Sequence, residues 1–327
     1  MKSVRKYFWR LERAWFTAYS SLKKTFDDLY RAADFWFAKR KLLSSAVCSG
    51  EEKALLRRVS LRVHPTDGMY SDFGISFRSS LISLGIRADN EMYVSSPAQH
   101  YFSVGLSAMR AIEGAIVQSN RDSDVGRILD FPCGYGRVLR FLRARFPAAS
   151  ITASDIDPVA LDFCSHTFSV KSLLSNTDLK NLSMSEKFDL IWCGSLITHL
   201  NEKAAADLLK FFHDHLLPNG LCIFTTHGKL SAELIRTNAE TYGLTVDAQR
   251  QVLSQFYDNG YGYADYSDQP GYGISLVSHE QMLSMADKAG AWNETYYVEH
   301  GWDYHQDVYG LIMTTDKKRL TDASEKN

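Results

Sequence analysis

Apolar positions change their period along this chain, and the change divides it. Over residues 4–43, Phe8, Leu11, Trp15, Tyr19, Leu22, Phe26, Leu29, Ala33 and Trp36 recur at steps of three and four, the period of one or two amphipathic helices. Residues 44–99 are mixed, with turn signals at His64-Pro65-Thr66-Asp67-Gly68 and Ser95-Ser96-Pro97. Residues 100–118 read as a helix with Val104, Met109, Ile112, Ala115 and Ile116 facing inward. From residue 127 the alternation is regular. Short apolar runs at 127–131, 150–154, 170–174, 188–193 and 221–226 predict strands. Helical periodicity at 136–146, 158–168, 202–216, 230–242 and 279–289 fills the gaps between and after them. Asn201 and Ser278 are placed to cap two of these helices. Two more strands are expected near 294–300 and 307–314. Strands separated by helices predict a parallel, doubly wound α/β sheet. The organisation expected is a helical or mixed extension over 1–99, one α/β domain over 100–316 and a polar tail over 317–327.

Composition narrows the class. The chain has 327 residues, is 45% hydrophobic and carries a net charge of -1, so it has no general attraction for nucleic acid. The balance is uneven: residues 1–43 hold eleven Lys/Arg against four Asp/Glu. A basic, aromatic arm suits docking on its own domain, a dimer contact or a peripheral membrane contact. No apolar run approaches the roughly 18 residues of a membrane span. The five cysteines show neither CxxC pairs nor metal-ligand spacing. They read as reduced packing residues of a cytoplasmic protein, and no metal site is expected.

The chemistry concentrates in Arg127–Leu142, RILDFPCGYGRVLRFL. A strand ends in Asp130, a Gly-x-Gly turn follows at Gly134 and Gly136, and a helix begins. That is how α/β proteins open a nucleotide or nucleoside pocket. A dinucleotide fingerprint needs a third glycine where this chain has Leu139, and a P-loop needs a Lys-Ser/Thr that is absent. Asp155 ends the second strand 19 residues after Gly136, the separation at which a carboxylate accepts from both ribose hydroxyls. Asp157 is the alternative, otherwise a helix cap.

These segments, with Ser175-Asn176-Thr177-Asp178 and KFDLIWCGSLITHL at 187–200 following in order, resemble the class I S-adenosylmethionine (SAM) methyltransferases, in their bacterial stand-alone form. The resemblance implies a Rossmann-like seven-stranded sheet whose last strand is antiparallel, with SAM as cofactor. It implies that Asp130, Pro132, Cys133, Gly134, Tyr135 and Gly136 wrap the methionine part. Asp155 would take the ribose, Ile156 the adenine face and Asn176 or Asp178 the adenine amino group, with Gly194 and Ser195 at the end of the fourth strand also contacting the cofactor. The Asn/Asp-Pro-Pro-Tyr signature of enzymes that methylate base or glutamine amino groups is absent.

Ligands of open α/β sheets bind outside the carboxyl ends of the strands. With the last strand antiparallel, His199, His227 and His305 converge on that rim. A hydroxyl acceptor needs a general base and histidine suits neutral pH, so the order of candidates is His199, His305, His227. Tyr257–Tyr272 reads as a lid, with Tyr261 and Tyr263 as substrate contacts beside Trp302 and Asp303. The expected activity is methyl transfer to oxygen, or nitrogen, of a small molecule or biosynthetic intermediate. The alternative is a catalytically silent SAM-binding scaffold acting through its N-terminal helices on a partner or membrane. A NAD-dependent oxidoreductase is disfavoured by Leu139.

Overall fold

In the computed structural model the chain divides into two compact units, residues 1–74 and 75–327. The structure describes residues 82–87, 90–94, 98–121 and 125–315, all in the second unit. The expected amphipathic helices of 4–43, the turns at 64–68 and 95–97 and the tail at 317–327 lie outside the described residues.

A short helix α1 (Glu91–Val94) precedes the long α2 (Ala98–Gln118). The regular alternation follows: β1 (Arg127–Asp130), α3 (Leu139–Arg145), β2 (Ser150–Asp155), α4 (Pro158–Phe168), β3 (Lys171–Leu174), β4 (Phe188–Cys193), α5 (Glu202–His215) and β5 (Leu216–Thr226). Then come α6 (Lys229–Arg236), α7 (Val246–Asn259), β6 (Tyr261–Tyr266), β7 (Gln269–Val277), α8 (His279–Ala289), β8 (Trp292–Trp302) and β9 (Gln306–Met313). Seven strands form one sheet in the order β3-β2-β1-β4-β5-β9-β8. β1 to β5 run parallel, and β9 is antiparallel to β5. The order reverses between β1 and β4, which is the switch point where such sheets bind ligands.

The caps are those expected from the residue types. Asn201 accepts from the Ala204 N–H at 2.9 Å and Ser278 from the Gln281 N–H at 3.2 Å, each supplying a helix start with an acceptor it lacks. Asp157 caps α4 with Pro158 in its first turn. One face of the sheet buries Leu129, Ile191, Cys193, Cys222, Phe224 and Tyr309 against α5 and α8, and burial of that apolar surface holds the layers together. Residues ahead of 100 belong to the same unit: Arg140 donates to the carbonyls of Ser83 and Gly85.

Two expectations are corrected. The single helix at 230–242 is two. α6 stops at Arg236, the chain turns through Asn238 and Tyr242, both at positive φ, and Thr245 caps α7. The tyrosine-rich stretch is not a loop either. Tyr257 lies exposed on α7, Gly260 ends that helix at φ 76°, and Tyr261–Val277 form the β6/β7 hairpin. The Tyr/Gly alternation there is a strand period, with every second side chain on the same face.

Candidate functional site

Asp130 ends β1 buried, and neither carboxylate oxygen has a hydrogen-bond partner among the described residues. Burial, helped by the charge of Asp155, pushes its pKa well above the usual carboxylate range. A carboxyl group whose folded-state pKa is raised contributes stability below its unfolded pKa and loses it as pH rises through the folded value. Asp130→Asn therefore raises the melting temperature of the ligand-free protein at about pH 8 by more than at about pH 5. Thermal scans at the two pH values check this; an equal or opposite shift contradicts it.

The turn after Asp130 is built on two glycines. The Phe131–Pro132 peptide is cis, and Cys133 is buried with its N–H on the Ser154 carbonyl at 2.9 Å. Gly134 (φ 48°) and Gly136 (φ 75°) take the left-handed conformation that side chains disfavour. A Cβ on Gly136 would run into the Phe168 ring, whereas Gly134 faces open space. That open backbone lets a ligand approach closely. Tyr135 donates its hydroxyl to Asp157 at 3.1 Å.

Asp155 locks this turn to the second strand. Its Oδ2 accepts from the Gly134 N–H at 2.8 Å and its Oδ1 from the Asp157 N–H at 3.0 Å. Each oxygen retains a lone pair for a hydroxyl. Ile156, next in sequence, is 61% exposed, an apolar surface beside that acid. Asn176 and Asp178 are engaged in their own loop. Asn176 Oδ1 accepts from the Asp178 N–H at 2.9 Å, and Asp178 Oδ1 accepts from the Lys180 N–H at 3.1 Å.

Gly194 sits between two rings; a Cβ there would lie 2.9 Å from both Trp192 and Trp302. Ser195, at φ 57°, donates its N–H to Thr225 Oγ1 at 2.8 Å and accepts from Gln306 Nε2 at 2.9 Å. Thr225 in turn donates to Gln306 Oε1 at 2.6 Å. This network ties the ends of β4, β5 and β9 into one rim.

His199 stands on that rim, half-buried after β4. Its Nδ1 lies 2.8 Å from the Gly273 carbonyl. A carbonyl accepts only, so the proton of the neutral ring is on Nδ1 and the lone pair on Nε2. Nε2 has no hydrogen-bond partner among the described residues. The imidazole stacks on Tyr272 (centroids 4.8 Å apart, planes at 20°), with the Tyr266 hydroxyl 3.4 Å from Nδ1. Burial lowers its pKa, opposed by the bond to Gly273. Tyr272 also feels Asp155: burial first, then that carboxylate, raises its hydroxyl pKa. The hairpin thus stands beside His199, with Tyr272 within the electrostatic reach of Asp155.

His227 and His305 form a second group, their rings 5.5 Å apart. His305 Nε2 is 2.9 Å from the Tyr242 hydroxyl. His227 is buried, its Nδ1 without a described partner. Burial, then the charges of His305 and His199, hold its pKa well below the ordinary histidine value. Burial also lowers His305. All three imidazoles are therefore neutral at neutral pH.

The remaining expected contacts divide. Tyr261 is buried and donates its hydroxyl to the Leu200 carbonyl at 2.9 Å. Tyr263 donates to Asp265 at 2.6 Å. Trp302 is buried, its Nε1–H on the Val104 carbonyl at 2.9 Å, and Asp303 lies 3.7 Å from His100. Tyr266 and Tyr272, which flank His199, fall in the stretch expected to form a lid but were not singled out as contacts; sequence reasoning missed Tyr242, beside His227 and His305, and Arg137. Tyr266 and Tyr272 carried a signal in the strand alternation of their stretch, and Tyr242 carried none; Arg137 carried one in its place directly after Gly136. Among the described residues no group of three His, Cys, Asp or Glu could hold a metal ion. No helix there is long and apolar enough to cross a membrane.

Residues 128–220 match the family described as "Methyltransferase domain". Over 75 residues the chain is 33% identical to the ribosomal RNA small subunit methyltransferase C of Haemophilus ducreyi, covering 22% of this chain and 23% of that protein. Over 113 residues it is 29% identical to the malonyl-[acyl-carrier protein] O-methyltransferase of Bacillus anthracis, covering 34% and 41%. The matches span less than half the length of these curated relatives. Among solved structures, a SAM-dependent methyltransferase from Clostridium acetobutylicum aligns with a TM-score of 0.45 at 15% identity, covering 69% of this chain and 96% of that one. The family match lies on β1 to β5, the strands that carry the glycine turn, Asp155 and the end of β4. Over residues 128–220 the chain is thus similar to methyltransferase domains, on a seven-stranded sheet of Rossmann-like order.

Proposed function

We propose that this protein transfers the methyl group of SAM to an oxygen of a small molecule or biosynthetic intermediate, nitrogen being the second choice, with His199 as general base. The observation that carries the reading is the Gly273 carbonyl on His199 Nδ1. It fixes the tautomer and leaves Nε2 as the base, on the rim where acceptors of this fold class bind. His305 and His227 rank below it, because His305 Nε2 is engaged by Tyr242 and His227 is buried.

The residues present fit the cofactor. Asp155 would accept from the ribose hydroxyls, Ile156 would lie against the adenine, and Gly134 and Gly136 would let the backbone follow the methionine arm. Asp130 would meet the ammonium group, which relieves its unpaired burial. Bound SAM supplies an electrophilic methyl group on a sulfonium leaving group. The protein aligns the acceptor, excludes water and removes the acceptor proton at His199 Nε2. Tyr266 and Tyr272 wall the acceptor beside His199; Tyr261 and Tyr263 support the hairpin.

An oxygen acceptor suits a neutral histidine base, and the Bacillus relative is named for O-methyl transfer. The chain's lack of an Asn-Pro-Pro-Tyr segment at 187–200 argues against amino groups of bases, although one relative acts on ribosomal RNA by its name. The four described cysteines, all free and buried, support a reducing, cytoplasmic setting.

A base that must be unprotonated gives a rate that falls as pH drops through its pKa. Because burial depresses His199, the acid limb of kcat lies below the ordinary histidine value of about 6.5 and the rate is flat above it. A limb centred above about 7 contradicts this assignment. The reaction itself is tested with methyl-labelled SAM and a fractionated cell extract. Label accumulating in small molecules, dependent on His199, is expected. Label confined to RNA or protein overturns the acceptor class.

A further inference from the structure

The glycine turn and the first turn of α3 carry two arginines with opposite surroundings. Arg140 is buried and engaged on every side. Its Nε–H donates to the Gly136 carbonyl at 2.9 Å, and its terminal nitrogens donate to the carbonyls of Ser83 (2.8 Å) and Gly85 (3.2 Å) and to the Tyr101 hydroxyl (3.3 Å). Arg137, three residues earlier, has no hydrogen-bond or ion-pair partner among the described residues. Its Cζ lies 5.6 Å from the centroid of the Trp302 ring. Burial lowers its pKa, opposed by the electrostatic influence of Tyr101 and Asp303.

A guanidinium keeps five N–H donors in a fixed fork, and a π face satisfies none of them. Removing such a cation from water without an acceptor is unfavourable. Among the described residues such acceptors are present at Arg140 and absent at Arg137. The Trp302 ring is no mobile surface. Its Nε1–H is anchored on Val104, and it stands against Gly194 at the carboxyl end of β4. Arg137 is therefore held at the switch point, in the turn that follows Asp130, a buried acid that also lacks a hydrogen-bond partner among the described residues.

We propose that Arg137 is a carboxylate-binding residue of this pocket, its fork engaging both oxygens of the ligand. The inference rests on the SAM reading above. Two molecules bring a carboxylate here. One is SAM, whose methionine end pairs an ammonium for Asp130 with a carboxylate for Arg137. The other is the methyl acceptor.

Calorimetry on the full chain separates them, using wild type, Arg137→Gln and Arg137→Lys, with SAM and decarboxylated SAM as probes. If the cofactor supplies the carboxylate, R137Q weakens SAM by about 10- to 100-fold, the value of a charged hydrogen-bonded pair. It leaves decarboxylated SAM within about twofold, and R137K falls between. If the acceptor supplies it, R137Q binds both as wild type does. Malonate, added as a carboxylate probe to protein loaded with S-adenosylhomocysteine, then binds wild type and not R137Q. Equal weakening of SAM and decarboxylated SAM overturns the proposal, since Arg137 is then structural. So does the absence of change in all three titrations. Wild type that binds neither nucleoside overturns the SAM reading instead. Malonate binding to the ligand-free protein, lost in R137Q or not, then decides Arg137 separately.

Discussion

His199→Gln will lower the rate of methyl transfer by about 10²- to 10⁴-fold, the usual contribution of a positioned general base, and will leave SAM affinity within about twofold. The split follows from where His199 stands. Its Nδ1 is tied to the hairpin through Gly273 and its ring is stacked on Tyr272, so it belongs to the acceptor side of the rim. The contacts that would hold the nucleoside come from the turn after β1 and the end of β2. Glutamine keeps a donor for the Gly273 carbonyl but offers no base of comparable strength. The acid limb of the pH profile disappears with the imidazole. A variant that keeps the wild-type rate and pH profile removes His199 from the chemistry and moves the search to His305. SAM titration and single-turnover rates on one preparation check both halves of the expectation.

Asp155→Ala produces the largest loss on the cofactor side. The carboxylate holds the Gly134 N–H at 2.8 Å and the Asp157 N–H at 3.0 Å. Its removal strips the ribose acceptors and also frees the turn that shapes the pocket. Two hydrogen bonds to a charged group, at about 1.5–3 kcal/mol each, predict a fall in SAM affinity of at least about 100-fold. Two orphaned backbone N–H groups reduce stability as well, by about 1–3 kcal/mol each where water cannot reach them. Asp155→Asn keeps one acceptor oxygen and falls between Ala and wild type in both measurements. Unchanged SAM affinity in the Ala variant places the ribose contact elsewhere.

What the sequence disclosed was local. Gly134, Gly136 and Asp155 act through spacing along one strand–turn–helix–strand unit, and spacing is visible in a sequence. The doubly wound sheet was legible from the alternation of strands and helices, whereas the order β3-β2-β1-β4-β5 is seen in the structure. The hairpin escaped because its meaning is in its pairing. Tyr266 and Tyr272 reach His199 only because β6 and β7 pair with Asp265 opposite Gly273, and that register is set by tertiary contact. The break between α6 and α7 escaped for a related reason, since Asn238 and Tyr242 turn the chain with positive φ, which periodicity does not encode. Asn176 and Asp178 were read as ligand contacts, but short polar side chains in loops also satisfy nearby backbone N–H groups, and here both do so. Arg137 lies between Gly136 and the start of α3, a place that discloses nothing of its surroundings. Only the placement of Trp302, 165 residues downstream, made its isolation visible.

The account stands or falls on the nucleoside that the turn at Gly134 and Gly136 accepts. Isothermal titration of the wild-type chain with SAM, S-adenosylhomocysteine and NAD is the direct measurement. The account predicts saturable one-site binding of SAM and S-adenosylhomocysteine, lost in Asp155→Ala, and no heat with NAD. Binding of NAD with none of SAM would contradict it.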